Sequence, residues 1–219
     1  MLERYIQALS VAEAGLEDPA ATRERLKDRF PRGATRRMTQ LGLLVGAALE
    51  ELGPGTDDAV VYASAYAETR ALEGYLDSFP AASPTLFQTS IHPSAVQQAL
   101  IGRQLPVREF FPLTGRLHLP AHALQAALLS DASRVLLCGG EERGTWLLER
   151  KAASDRTFAF ALALGRESAD ALARVRLAPV DGAVPVVTLA LPEFFDALRA
   201  RRALDVVAAP GLRLEVEWR

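Results

Sequence analysis

The chain has 219 residues, of which 49% are hydrophobic and 24% are charged, as in a globular protein with a sizeable core. Its formal net charge of -2 and its pI of about 6.0 exclude a strongly basic surface, so no nucleic-acid partner is expected. The single cysteine excludes an internal disulfide framework, and no apolar run approaches the roughly 18 residues of a membrane span. These features predict a cytoplasmic protein without a membrane span.

The first quarter of the chain is predicted to be helical. Residues 1–33 are interpreted as a helical extension made of two short helices. Four apolar residues there recur at helical spacing: Leu2, Tyr5, Ile6 and Leu9. A longer helix is predicted from Thr35, its capping residue, to Leu52, with Gly53 at its end. The apolar run DAVVYASAY that follows predicts a strand buried on both faces.

The rest of the chain alternates between the helical period and the strand period. Helices are predicted in ETRALEGYLDSF, PSAVQQALIG, PAHALQAALLS and LPEFFDALRARRAL. Strands are predicted in REFFPL, RVLLCGG, RTFAFALALG, ALARVRLAPV, PVVTLAL and LRLEVEW. Helix–strand alternation followed by a strand-rich end indicates an α/β domain with a mixed sheet.

Several of these segments, in this order, resemble the N-terminal half of β-ketoacyl synthases, members of the thiolase-like superfamily. The segments are TRRMTQLGLLVGAALEEL, VVYASAYAETRALEGYL, SPTLFQTSIHPSAVQQALIG, LQAALLSDASRVLLCGGEE and RTFAFALALGRESADALARVRL. They cover most of residues 34–178, and the resemblance is closest to the short chain-length-factor-like proteins of aryl-polyene and polyketide gene sets. It implies that residues 1–219 form a single truncated domain, a three-layer α-β-α half of a thiolase-like fold, with 180–219 as a variable segment.

The same resemblance implies a position for a nucleophile. In these synthases a cysteine on a sharp turn begins the helix found here in LQAALLSDAS, where the helix dipole favours the thiolate. Counting back from the Gly-Gly pair after RVLLC places that position near Thr114 and Gly115, or within residues 113–117 if a small gap is allowed. None of these residues is a cysteine. The synthases also use two further groups, usually histidines, in a C-terminal half, and no histidine follows His122. The sequence therefore predicts no catalytic residue.

Other residues that carry chemistry are interpreted structurally. Cys138 lies in an apolar run and is expected to be a buried core residue. His118 and His122 have the spacing of metal ligands, but no third ligand is evident, so no metal site and no cofactor are expected. Glu141 and Glu142 are expected in a solvated turn after a strand.

The predicted function is that of a catalytically silent, chain-length-factor-like subunit. It would pair with an active β-ketoacyl-carrier-protein synthase in aryl-polyene, polyketide or fatty-acid-type biosynthesis, and an acyl carrier protein is a further candidate partner. The interface residues implied by the resemblance are Phe87, Ile91, His92, Val96 and Gln97. A half-synthase would also leave one apolar face without its internal partner. Residues 180–219 are the alternative cover, with LPEFFDALRARRAL across that face and LRLEVEW as an edge strand.

Two other functions remain open at this stage. The chain would be an acyltransferase or hydrolase if Thr114 or Cys138 attacked an acyl thioester, although a threonine hydroxyl needs an activating base. Alternatively, it would be a self-associating scaffold without an acyl ligand.

Overall fold

The computed structural model describes residues 1–182 and 184–219. Within these residues eight strands form one sheet: β1 Leu2–Glu13, β2 Ala59–Ser64, β3 Glu109–Thr114, β4 Arg134–Glu141, β5 Phe158–Gly165, β6 Ala173–Pro179, β7 Leu204–Ala209 and β8 Leu212–Trp218. Their order across the sheet is β3-β2-β4-β5-β1-β6-β8-β7. β2 pairs in parallel with β3 and β4, whereas the other pairs are antiparallel. The sheet is therefore mixed, as the sequence predicted.

Helices cover both faces of this sheet. In chain order they are α1 Pro19–Leu26, α2 Gln40–Glu51, α3 Thr69–Asp77, α4 Pro84–Ser90, α5 Ser94–Gly102, α6 Leu119–Leu129, α7 Trp146–Glu149 and α8 Leu191–Arg199. One core lies between the sheet and α1, α2 and α5, and a second core lies between the sheet and α6 and α8. Every residue of β2 is buried because both of its faces are covered. The α/β three-layer prediction is confirmed.

The N-terminal segment corrects the sequence analysis, because residues 2–13 form a central strand rather than a helix. β1 lies between β5 and β6. Its most deeply buried side chains are those of Arg4, Ile6 and Ser10, which alternate with more accessible residues. Because Arg4 and Ser10 are polar, the alternation of buried and accessible residues cannot be recognised from the positions of the apolar residues. The apolar residues alone have the spacing of a helix.

Arg4 explains how a charged residue is tolerated in this central strand. Its side chain is 1% exposed, and its guanidinium donates to the backbone oxygens of Ser130 at 2.6 Å, Ala132 at 2.9 Å and Ser133 at 3.3 Å. Burial lowers the pKa of Arg4 from its usual value. These hydrogen bonds satisfy the buried guanidinium and fasten β1 to the loop between α6 and β4.

Two other boundaries differ from the sequence prediction. Residues 34–37 form a 3-10 turn, and α2 starts at Gln40, because the Thr39 side chain accepts from Gly42 N at 3.0 Å and caps the helix there. The segment PVVTLAL, in its described residues 185–191, contains no strand. Its Val187 N–H binds the backbone oxygen of Val207 at 2.8 Å, but no ladder follows, and Val186 and Val187 are exposed.

The C-terminal segment covers the α6 side of the sheet. Phe194 and Phe195 of α8 are buried, with ring centroids 5.6 Å from Phe160 and 4.5 Å from Phe158. Strand β7, which the sequence analysis missed, forms a hairpin with β8 and becomes the edge, so β8 lies inside the sheet and not at its edge. This placement of α8 is the alternative cover that the sequence analysis described.

Candidate functional site

The candidate site is a cavity of about 490 Å³ at the carboxyl ends of β2 and β4. We call it the elbow cavity, because the loop between β3 and α6 forms one of its walls. Ligands of α/β proteins bind at the carboxyl ends of parallel strands, so the location fits a binding site. Its lining residues are Ala65, Tyr66, Arg116, Leu117, Glu141, Leu148, Lys151, Ala153, Ser154, Asp155, Thr188, Ala190, Leu191 and Pro192.

The turn before α6 is occupied by a histidine. His118 precedes the first helical residue and has a left-handed backbone, with φ 59° and ψ 13°. Its Nδ1 lies 2.8 Å from the backbone oxygen of Ala208, a contact that holds the turn against β7. Left-handed geometry is unusual for a residue with a Cβ, and the surrounding contacts maintain it.

The residues to which counting assigned the nucleophile position lie before this turn. Thr114 is the last residue of β3 and is exposed, and Gly115 follows it in the loop. The side chain at the start of the helix is therefore His118 and not Thr114. The equivalence of Thr114 and Gly115 with a synthase cysteine remains a prediction.

Glu141 and Glu142 overturn the prediction of a solvated turn, because each is 1% exposed. Glu141 accepts from Ala65 N at 2.6 Å, from Tyr66 N at 3.0 Å and from the Ser64 hydroxyl at 3.1 Å. Burial raises the pKa of Glu141 to about 7, while these hydrogen bonds lower it. The carboxylate thus ties the end of β4 to the loop that follows β2.

Three more buried carboxylates accept from backbone N–H groups at helix starts. Burial raises the pKa of Glu142 to about 7 and that of Glu68 to about 8. The contacts are Glu142 with Arg70 N of α3 at 2.9 Å, Glu73 with Thr145 N and Leu147 N at 2.7 and 2.9 Å beside α7, and Glu68 with Ala95 N of α5. Acceptor side chains satisfy the unpaired N–H groups at helix starts, so these residues fix the starts of α3, α5 and α7.

A second buried polar cluster lies on the α2 side of the sheet. The Tyr62 ring is fully buried and stacks on His92, with 5.1 Å between the ring centroids. Among the described residues, Tyr62 Oη, His92 Nε2 and Glu68 Oε2 have no hydrogen-bond partner. Burial lowers the pKa of His92 and raises that of Tyr62. Sequence reasoning did not find this cluster.

Cys138 pairs with Tyr62 across β2 and β4 and is fully buried. Burial raises the pKa of its thiol well above the usual value. A thiol that is buried and protonated is a poor nucleophile, so Cys138 is a core residue, as expected from its apolar run.

The five interface residues do not share one environment. Phe87, Ile91 and Gln97 are exposed, and His92 is half-buried against Tyr62. Val96 is 0% exposed and packs in the core on the inward face of α5, an orientation that the sequence did not give. The assignment of the five residues to an interface stays a prediction.

A metal-ligand cluster and a membrane-crossing helix are both absent from the described part of the chain. The rings of His118 and His122 have centroids 6.2 Å apart. No group of three His, Cys, Asp or Glu side chains in residues 1–182 and 184–219 could hold a metal ion. No helix in these ranges has the length and apolar character needed to cross a membrane.

An arginine-lined groove lies away from the elbow cavity. Two cavities, of about 500 and 290 Å³, share Arg36, Arg37, Thr85 and Thr89 among their lining residues, and Arg70 lines the smaller one. Arg36 and Arg37, adjacent in the chain, are thus part of a concave surface. Guanidinium groups in a concave surface favour anions.

Comparison with known proteins identifies solved structures that share this fold. No model of a known protein family matches the sequence, and no curated protein matches it. A chain from the complex of the ketosynthase ApeO with its chain length factor ApeC, from Xenorhabdus doucetiae, matches with a TM-score of 0.68 and 18% identity, over 99% of this chain and 100% of that chain.

Two further solved structures match over a smaller share. A β-ketoacyl synthase from Burkholderia phymatum has a TM-score of 0.56 and 15% identity over 82% of this chain and 65% of its own. The ishigamide ketosynthase/chain length factor has a TM-score of 0.53 and 14% identity over 84% and 65%. The chain therefore has the thiolase-like fold that ketosynthases and chain length factors share.

Proposed function

We propose that the chain is a catalytically silent, cytoplasmic, chain-length-factor-like subunit that pairs with a separate ketosynthase in polyketide, aryl-polyene or fatty-acid-type biosynthesis. The observation that carries this proposal is the fold match over the whole length of both chains to a chain of a ketosynthase–chain length factor complex. The absence of a thiol at the start of α6 supports it. A subunit of this kind contributes shape to a shared pocket and no covalent chemistry.

The side chains around the elbow support catalytic silence. In the described loop between β3 and α6 there is no cysteine, and the chain's Cys138 is buried in β4. The Thr114 hydroxyl has no hydrogen bond to a base among the described residues, and an unactivated hydroxyl is a weak nucleophile. The acyltransferase or hydrolase alternative therefore lacks a group to attack a thioester.

An exposed aromatic surface supports a partner. We define it as Tyr75 of α3, Phe79, which lies two residues beyond the end of α3, and Phe87 of α4. The Tyr75 ring lies 5.3 Å from Phe79 and 5.2 Å from Phe87, and the two phenylalanines are 55% and 48% exposed. Aromatic residues are enriched in protein interfaces, and exposed apolar patches commonly mark them. This surface contains Phe87 from the predicted interface set.

The arginine-lined groove supports a carrier protein as a second partner. A carrier protein delivers its acyl group on a phosphate-containing arm, and arginine binds phosphate in bidentate geometry. The Arg36 and Arg37 side chains form no ion pair within the described residues, so both are available to an anionic partner. We infer that a carrier protein would bind in this groove, whose lining residues Thr85 and Thr89 lie on α4, the helix that also carries Phe87 of the aromatic surface.

The test is co-expression of the tagged chain with a candidate ketosynthase, followed by affinity purification and native mass spectrometry. We expect a heterodimer that Phe87→Glu disrupts. Leu16→Glu is the matched control, because Leu16 is 98% exposed in the turn between β1 and α1 and lies outside the aromatic surface. Loss of pairing in both variants, or no recovery of any ketosynthase by the unchanged chain, contradicts the proposal.

The same measurement distinguishes pairing with a ketosynthase from self-association of this chain. A stable homodimer of the isolated chain, with no recovered ketosynthase, would assign the aromatic surface to a second copy. Turnover of an acyl thioester by the isolated chain would instead favour the enzyme alternative.

A further inference from the structure

The elbow cavity contains two cationic side chains that no described acid neutralises. Arg116 lies in the loop before α6, and its guanidinium carbon is 5.4 Å from the centroid of the Tyr66 ring. Lys151, from the loop between α7 and β5, lines the same cavity. Neither side chain forms an ion pair within residues 1–182 and 184–219, although both are exposed enough to reach one.

The acids that share the lining do not compensate for these cations. Both oxygens of Glu141 accept hydrogen bonds from backbone N–H groups or from the Ser64 hydroxyl, so they interact with the protein and not with a ligand in the cavity. Asp155 is exposed at the rim. The cavity therefore carries more positive than negative charge on groups that are free to contact a ligand.

Apolar side chains form most of the remaining lining, which also includes Tyr66, Ser154 and Thr188. Leu117, which is 64% exposed, Leu148 and Leu191 line the cavity together with alanines. A volume of about 490 Å³ falls in the range of pockets that hold small organic ligands. An exposed leucine at the mouth of such a pocket gains favourable burial when an aliphatic chain covers it.

We propose that the elbow cavity reversibly binds a small anionic amphiphile, namely an aliphatic carboxylate. Arg116 and Lys151 hold the carboxylate, and the aliphatic chain packs on Leu117, Leu148 and Leu191. No bond is formed or broken. This site belongs to the isolated chain and does not require the pairing with a ketosynthase proposed above.

The test uses isothermal titration of the isolated full-length chain with octanoate and with octanol, which share a chain length and differ in charge. We expect octanoate to bind at least about tenfold more tightly, because Arg116 and Lys151 donate charge-assisted hydrogen bonds to its carboxylate and only neutral ones to the hydroxyl of octanol. The double variant Arg116→Gln/Lys151→Gln should lose this preference. Arg150→Gln, an exposed neighbour outside the lining, should retain it.

A further variant tests the apolar wall. Leu117→Asp places a negative charge beside the proposed chain and should weaken octanoate binding at least tenfold, while circular dichroism confirms the fold of this exposed-site variant. Equal affinities for octanoate and octanol, an undiminished preference in the double variant, or no binding at all overturns the proposal. Failure of the pairing proposal would appear in co-purification, which this titration does not involve.

Discussion

Glu68 offers the sharpest test of how burial controls ionisation in this protein. It precedes α3, is 1% exposed, and accepts from Ala95 N through one oxygen, while its other oxygen has no partner among the described residues. Burial, followed in the same direction by the charges of Glu142 and Glu141, raises the pKa of Glu68 to about 8. The carboxyl group is therefore protonated in the folded protein at neutral pH.

The sign of the pH dependence follows from proton linkage. The folded chain keeps this proton up to about pH 8, whereas the unfolded chain releases it near 4.5. The folded state binds more protons in that window, so the free energy of unfolding falls as pH rises. Between pH 6 and pH 8 the loss assigned to Glu68 is about 2 kcal/mol, at 1.36 kcal/mol for each pH unit and less near the folded pKa.

The perturbation is Glu68→Gln, which keeps an acceptor for Ala95 N and cannot ionise. We expect urea unfolding, followed by tryptophan fluorescence at pH 6 and pH 8, to show about 2 kcal/mol less pH-dependent loss in the variant than in the unchanged chain. Glu141, Glu142 and His92 titrate in both proteins; the contribution of Glu68 includes its coupling to Glu142 and Glu141, which the substitution removes as well. Glu149→Gln, at an exposed position, is the control. Identical pH dependence in the Glu68 variant and the unchanged chain would refute the reasoning.

Three other predictions concern the core. Gly140→Ala should destabilise the fold by about 3 kcal/mol or more in urea titrations, because its Cβ would lie 2.2 Å from the backbone oxygen of Phe158, whereas Gly55→Ala should change little. Cys138 should resist iodoacetamide in the folded protein and react once urea unfolds it; rapid labelling of the native chain would contradict its burial. Arg4→Met should cost about 3 kcal/mol, because it removes the Arg4 donor from the backbone oxygens of Ala132 and Ser133 and leaves that of Ser130 with only the 3.4 Å contact from Arg166; a neutral result would mean that water replaces the guanidinium.

The burial of Glu141 and Glu142 could not be predicted from the sequence. Glu141 and Glu142 were predicted to be solvated because isolated glutamates usually are. Their partners are Ser64, Ala65, Tyr66 and Arg70, which are 72 to 77 residues away along the chain. No local pattern reports contacts at that separation, so neither the burial nor the raised pKa values were predictable.

Local sequence determined most of the element types. The apolar runs of β2, β4 and β5 are short and bounded by polar or glycine residues, which favours strands, whereas the segment before β2 has the helical period and a glycine at its end. The order of these elements indicated the α/β class. It also determined that no cysteine lies in the loop before α6. Only the tertiary structure decided that residues 2–13 enter the centre of the sheet, that Val96 faces inward, and that Arg116 and Lys151 meet in one cavity. These outcomes depend on contacts between segments far apart in sequence, and such contacts override local periodicity whenever they bury more surface.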